Sequence, residues 1–297
     1  MTRTITVRIV NAFVTDGAGG NPAGVVLDAD DLSEADMQKT AAAVGVSETA
    51  FVSKSDAAGF RLDFFTPNMR IPHCGHATIA AFSYLLSIGR VGDGITSKET
   101  VDGPRRIIIR AGIPYMEQLA PDYDDPPNWI SRGTSEQDVI DSLGLGGGLL
   151  DQRSRPVVVN TGNRFLLVGV RTSGILRAII PDLAAITTVS EKLNLIGYYI
   201  YTTEAVDAEH DASTRMFAPR YAIPEEAATG MAAGTLGCLL YDRLGIRKHR
   251  FSIEQGSSMR PPSRSRLTVE LDIRDDRISG LLVGGAGQLM RTMAADI

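Results

Sequence analysis

The chain repeats itself once, and this constrains its fold more than any other feature. Phe65-Thr66-Pro67-Asn68-Met69-Arg70-Ile71-Pro72 and Phe217-Ala218-Pro219-Arg220-Tyr221-Ala222-Ile223-Pro224 both fit F-x-P-x-x-x-I-P. Each is followed by a small-residue segment, Gly75-His76-Ala77-Thr78 running on to Leu86, and Gly230-Met231-Ala232-Ala233 running on to Leu240. Flanking segments correspond in the same order. Glu48–Val52 and Gly197–Tyr201 read as strands, and helices are expected over 33–44 and 182–194. Ser33 with Asp36 suits a helix start and Gly45 a helix end. The repeat distance is about half the chain, too long for a solenoid, whose periods run about 20–50 residues. The reading is a duplicated α+β unit.

Both small-residue segments are apolar nearly all round, the pattern of a helix buried on every side. A sheet wrapped around one central helix satisfies that requirement. The expected division is residues 1–118 completed by the terminal strands in 278–297 as one half, and 119–277 as the other. A helix opened by Thr134 would follow the proline- and aspartate-rich stretch 114–129. Two such halves would leave a cleft, a preferred small-molecule site. The first turn of each central helix, with unsatisfied backbone N–H groups, would suit a carboxylate there.

Composition excludes several other classes. A net charge of −5 and only short basic stretches argue against a nucleic-acid footprint. No apolar run reaches the roughly 18 residues of a membrane span. The alternating start, Thr4 to Val10, reads as a strand and not as a signal peptide. A cytoplasmic protein is expected. The two cysteines, Cys74 and Cys238, make no disulfide framework, and with four scattered histidines they make a poor zinc set. Both are expected to be small buried hydrophobes.

The segments Asn21-Pro22-Ala23-Gly24, Ser47-Glu48-Thr49-Ala50-Phe51, Phe65-Thr66-Pro67, Cys74-Gly75-His76-Ala77-Thr78 and Glu225-Glu226-Ala227-Ala228-Thr229-Gly230 together resemble the PhzF-like isomerases of phenazine biosynthesis, in order and over essentially the full chain. The resemblance implies a diaminopimelate-epimerase-like fold of two pseudo-symmetric halves, each a barrel-like sheet around a central helix. It also implies a homodimer, and general acid/base chemistry without metal or organic cofactor on a small acidic substrate, carboxylate-bearing and in the best-understood case anthranilate-like. Glu48 matches the family's catalytic glutamate and His76 its histidine. In the second half Glu226 stands where the family has aspartate, and Met231 where it has serine, which removes a hydroxyl.

The catalytic candidates are therefore Glu48, His76 and Glu226. Asn21, Gly75, Thr229, Gly230 and Met231 are the candidates for holding substrate. Glu48, enclosed in a cleft, is expected to have a raised pKa and to exchange a proton near neutral pH. The alternatives are a two-base racemase or epimerase, which in its thiol form needs a partner for Cys74 where Thr229 stands, and a non-catalytic binding protein.

Overall fold

The computed structural model describes residues 3–101, 103–204 and 209–297, and the chain divides into two compact units. The first comprises residues 1–117 with 284–297, the second residues 118–283.

The first unit runs β1 (Thr4–Ala12), β2 (Asn21–Val26), α1 (Glu34–Val44), β3 (Thr49–Ser53), β4 (Phe60–Phe65), β5 (Arg70–Ile71), α2 (Gly75–Ser87), β6 (Gly94–Thr100), β7 (Gly103–Arg110) and β8 (Ile113–Leu119), the last two residues of which lie past the unit boundary. It recruits the final strand of the chain, β18 (Gly287–Asp296). β1 lies antiparallel between β18 and β2, β2 runs parallel to β3, and β3 antiparallel to β4. β4 runs parallel to β6 and carries β5 as a short antiparallel partner, and β6, β7 and β8 form a meander. α2 packs on β1, β2, β3 and β18, so the sheet encloses it. Nine of its thirteen residues are buried. α1 begins with the capping box of Ser33 and Asp36, ends on Gly45 in the left-handed region, and lays Met37, Ala41 and Val44 against Phe51 and Phe65.

The second unit contains β9 (Asp122–Asp124), α3 (Glu136–Ser142), β10 (Val157–Asn160), β11 (Arg164–Gly169), α4 (Ser173–Ala178), α5 (Leu183–Leu193), β12 (Gly197–Thr202), β13 (Ala212–Ala218), β14 (Ile223–Glu226), α6 (Gly230–Asp242), β15 (Arg250–Gln255), β16 (Ser265–Arg274) and β17 (Arg277–Gly284). Its pairings repeat those of the first unit. β10 is antiparallel to β11, β11 parallel to β12, β12 antiparallel to β13, and β13 parallel to β15 with β14 as its short partner. α6 has the same length as α2 and packs on β10, β11, β15 and β16. The duplication read from the two F-x-P-x-x-x-I-P segments is thus a duplication of topology. α5 begins on Asp182 and ends on Asn194. The cap of α3 is Ser135 rather than Thr134, because Ser135 has the extended backbone and accepts from Asp138 N. The Thr134 hydroxyl instead donates to the Asp138 side chain.

α6 shows how closely the second unit is packed. A Cβ at Gly234 would lie 2.2 Å from Gln118 Oε1. Gln118 cannot swing away easily. It is buried, accepts from the Thr161 hydroxyl at 2.7 Å, and donates to the Gly230 carbonyl at 3.0 Å. At an exposed helical site Gly→Ala gains about 1 kcal/mol of helix propensity. Here overpacking, typically about 1–3 kcal/mol, acts against it. Gly234→Ala is expected to lower the urea unfolding midpoint with an unchanged slope. A raised midpoint would show that Gln118 yields.

Candidate active site

Glu48 precedes β3, and its carbonyl accepts from Gly24 N on β2 at 2.9 Å. The parallel register sets Gly24 beside Thr49, and a Cβ on Gly24 would lie 2.6 Å from Thr49 Oγ1. Only glycine lets β2 approach this closely, so Gly24 of the N-P-A-G strand segment helps place Glu48. Asn21 opens the same strand and is buried. His76 lies in the first turn of α2, directly after Gly75.

These elements bring His76 Nε2 to 3.1 Å from Glu48 Oε2, with His76 4 % and Glu48 7 % exposed. The other ring nitrogen, Nδ1, lies 3.6 Å from Cys74 Sγ. Cys74 occupies the N-cap of α2 with an extended backbone, yet its side chain does not cap the helix. Cys74 is buried, as expected, and its sulfur also lies on the catalytic candidate's ring, so one imidazole lies between a thiol and a carboxylate.

Burial pushes the Glu48 pKa up, but the charge of His76, its hydrogen bond and that of Ser47 pull it further down, to below the ordinary 4.5. The expected raised pKa of Glu48 is therefore corrected: burial is real, but a cation was buried with it. For His76, burial disfavours the charged ring, and Cys74 and Glu48 outweigh it, lifting the pKa well above 6.5. Burial lifts the Cys74 thiol above 9.0. These directions favour the charged forms of Glu48 and His76 and the neutral form of Cys74. Among the described residues, Glu48, Cys74 and His76 are also the three whose ligand atoms could gather round an ion, lying within 4.8 Å of one another. A protonated His76 has no lone pair for a metal, so an ion would have to displace that proton.

The second-unit candidates lie along one segment. Thr229 is the N-cap of α6, again without a side-chain cap, and its hydroxyl donates to Glu226 Oε2. Gly230 opens the helix and Met231, half-buried, follows. Gln255, which the sequence analysis did not single out, ties the segment together. Its Nε2 donates to the Glu226 carbonyl at 2.7 Å, and its Oε1 accepts from Thr229 N at 3.1 Å. Glu225 forms a bidentate pair with Arg215 at 2.8 and 2.9 Å, a structural link that also fastens the Leu176 and Ile179 carbonyls. Cys238 is wholly buried in α6, as expected of a core residue.

The chain is thus a mixed α+β protein with a helix enclosed by strands twice over and a buried acid–imidazole pair at one helix start. Residues 10–292 match the profile of the family described as phenazine biosynthesis-like protein. The chain belongs to that family, and it is an isomerase. It is 33% identical over 293 residues to an uncharacterized isomerase of Deinococcus radiodurans, covering 95% of this chain and 92% of that one. It is 29% identical to the trans-2,3-dihydro-3-hydroxyanthranilate isomerase of Pseudomonas chlororaphis, covering 94% and 95%. The crystal structure of a Bacillus anthracis phenazine biosynthesis protein of the PhzF family superimposes with a TM-score of 0.88 at 26% identity, covering 98% and 99%. No helix among the described residues is long and apolar enough to cross a membrane.

The ion pair has a sign in pH. The Glu48 contribution to stability is present above its ordinary 4.5 and is lost as pH falls through its lowered folded value. The His76 contribution is present below 6.5 and is lost as pH rises through its raised folded value. In an NMR titration of ¹³C-histidine-labelled protein, His76 is expected to titrate above 6.5 and to drop markedly in Glu48→Gln. An unchanged midpoint would show that the carboxylate is not what holds the proton.

Proposed function

We propose that the protein moves a proton between two carbons of a small, carboxylate-bearing, anthranilate-like ring compound, with Glu48 as carrier. The observation that supports this is the buried Glu48–His76 pair at the uncapped start of α2. The relative from P. chlororaphis, named for isomerisation of a dihydro-hydroxyanthranilate, supports the substrate class. The Glu48 carboxylate takes a proton from a carbon acidified by conjugation. The electron pair of that C–H bond shifts the double bond, and the proton returns to a second carbon. Nothing is oxidised or reduced, so the reaction requires no electron carrier.

His76 gives the carrier its character. A carboxyl paired with imidazolium holds a proton reluctantly, each pKa unit being about 1.4 kcal/mol. The protonated Glu48 therefore returns its proton readily. While Glu48 is neutral, the His76 proton has lost its counter-charge and can be shared with a substrate oxygen where charge accumulates. We further propose that Glu226 and Thr229, already hydrogen-bonded to each other, form a second polar group for substrate, with Gly230, Met231, Asn21 and Gly75 as contact positions.

Glu48→Gln keeps shape but removes the titratable group. Turnover of trans-2,3-dihydro-3-hydroxyanthranilate is expected to fall by about 10²–10⁴-fold with substrate binding retained. In D₂O the wild type is expected to place deuterium on the product carbon. A fully active Glu48→Gln would move the role elsewhere. One observation favours a second reading, a racemase: the Cys74 sulfur lies against His76. That reading requires Cys74→Ser to lose as much activity as Glu48→Gln, together with exchange at a stereocentre. The isomerase reading expects a much smaller loss.

A further inference from the structure

β6 carries a lysine at a position that the strand turns inward. Lys98 is 1 % exposed, while the apolar Ile95 on the same strand is largely in solvent. Lysine is almost never buried this deeply unless its ammonium is matched by acceptors. Its surroundings are matched to a cation. Nζ lies 2.7 Å from Thr78 Oγ1 and 3.0 Å from His73 Nδ1, and 5.2 Å from the centroid of the Phe64 ring. The Thr78 hydroxyl spends its own proton on the Cys74 carbonyl at 2.7 Å, so towards Lys98 it can only accept. Burial first, then the charges of Lys98 and Arg105, hold His73 down at about 3, and the neutral ring, with its proton on Nε2, offers Nδ1 as an acceptor to the ammonium. Phe64 offers its electron-rich face.

The two side chains that Lys98 fastens bracket the segment that matters. His73 stands immediately before Cys74, and Thr78 two residues after His76. The second unit has the same device. β15, parallel to β13 as β6 is to β4, supplies the fully buried Gln255, which fastens Glu226 and Thr229 ahead of α6. In each unit, one inward polar side chain from the strand at the same topological position pins the entry to the central helix. The residue types differ, cation against amide, while the task is the same.

We propose that Lys98 is a positioning residue, which holds Cys74 and His76 in register with Glu48 by fastening His73 and Thr78 on either side of them. It acts through His73 and Thr78. This inference rests on the reading of Glu48 and His76 as the proton-transfer pair, and its test has a readout independent of any substrate.

Thr78→Val removes one anchor and the side-chain donor to the Cys74 carbonyl, which keeps the Thr78 N–H, while leaving every charge in place. In ¹³C-histidine-labelled protein, the His76 midpoint is expected to fall by about one unit, a tenfold change in proton affinity, as the ring loosens from Glu48. Lys98→Met keeps the length of the side chain and removes the ammonium. The His73 midpoint is then expected to rise, and turnover of trans-2,3-dihydro-3-hydroxyanthranilate to fall about tenfold to a hundredfold with KM nearly unchanged, as displacement of a catalytic group predicts. Unaltered His76 and His73 midpoints in the two folded variants would overturn the proposal and leave Lys98 as core filling. If Lys98→Met does not fold, Thr78→Val alone decides through His76. If the wild type does not turn over that compound, the substrate class fails, while the titrations still judge Lys98.

Discussion

A helix with no polar face can be stable in water only if something surrounds it. α2 and α6, both rich in Ala and Gly, are in that position, and most of this architecture follows from enclosing them. Their small side chains let strands come within contact distance on several sides. The sheet must therefore curve round each helix, and the parallel pairs β2–β3 and β11–β12 stand at matching places in the two units. The close packing also has consequences for polar atoms. Where Gly234 leaves room, Gln118 enters and bonds the first residue of α6. A buried helix needs the N–H groups at its start satisfied by residues brought from elsewhere in the fold, and Gln255, which accepts from Thr229 N, is such a residue.

The Glu48–His76 pair is a poor choice for stability alone. Replacing a buried ion pair with well-packed apolar side chains is often neutral or stabilising, whereas removing one partner is costly. A carboxylate and an imidazolium retained at an uncapped helix start, with a thiol on the far side of the ring, are better accounted for by chemistry. Against burial, the Glu48 shift is due chiefly to His76, and the His76 shift to Cys74 and then Glu48. Each group makes the other's charged form more tolerable where burial alone would disfavour both, so the proposed carrier is a carboxylate and not a raised-pKa acid. The hydrogen bonds behind the pair give it a fixed frame: Gly24 to the Glu48 carbonyl, Thr78 to the Cys74 carbonyl, Lys98 to Thr78 and His73.

Much of this was legible in the sequence because it depends on local spacing. The repeated F-x-P-x-x-x-I-P, the Gly-Ala helices, the Ser33 and Asp182 helix starts and the glycine of Asn21-Pro22-Ala23-Gly24 each state a backbone requirement that few conformations meet. Those signals determined two copies of one α+β topology, with Glu48 at a strand start and His76 at a helix start. What the tertiary structure decided is which side chains share a space. Cys74 read as a small buried hydrophobe, and it is buried, but only the fold turns its sulfur onto His76. Glu48 read as an acid with a raised pKa because burial can be inferred from one residue, while a buried counter-ion depends on a second, distant one. Nothing local singled out Lys98, because its strand exposes Ile95 and buries the lysine, against hydropathy. Charge pairing and burial are properties of residues 20 or more apart in the chain, here Glu48 with His76 and Lys98 with Thr78. No local pattern encodes them, so the sequence sets the backbone frame and the folded contacts set the electrostatics within it.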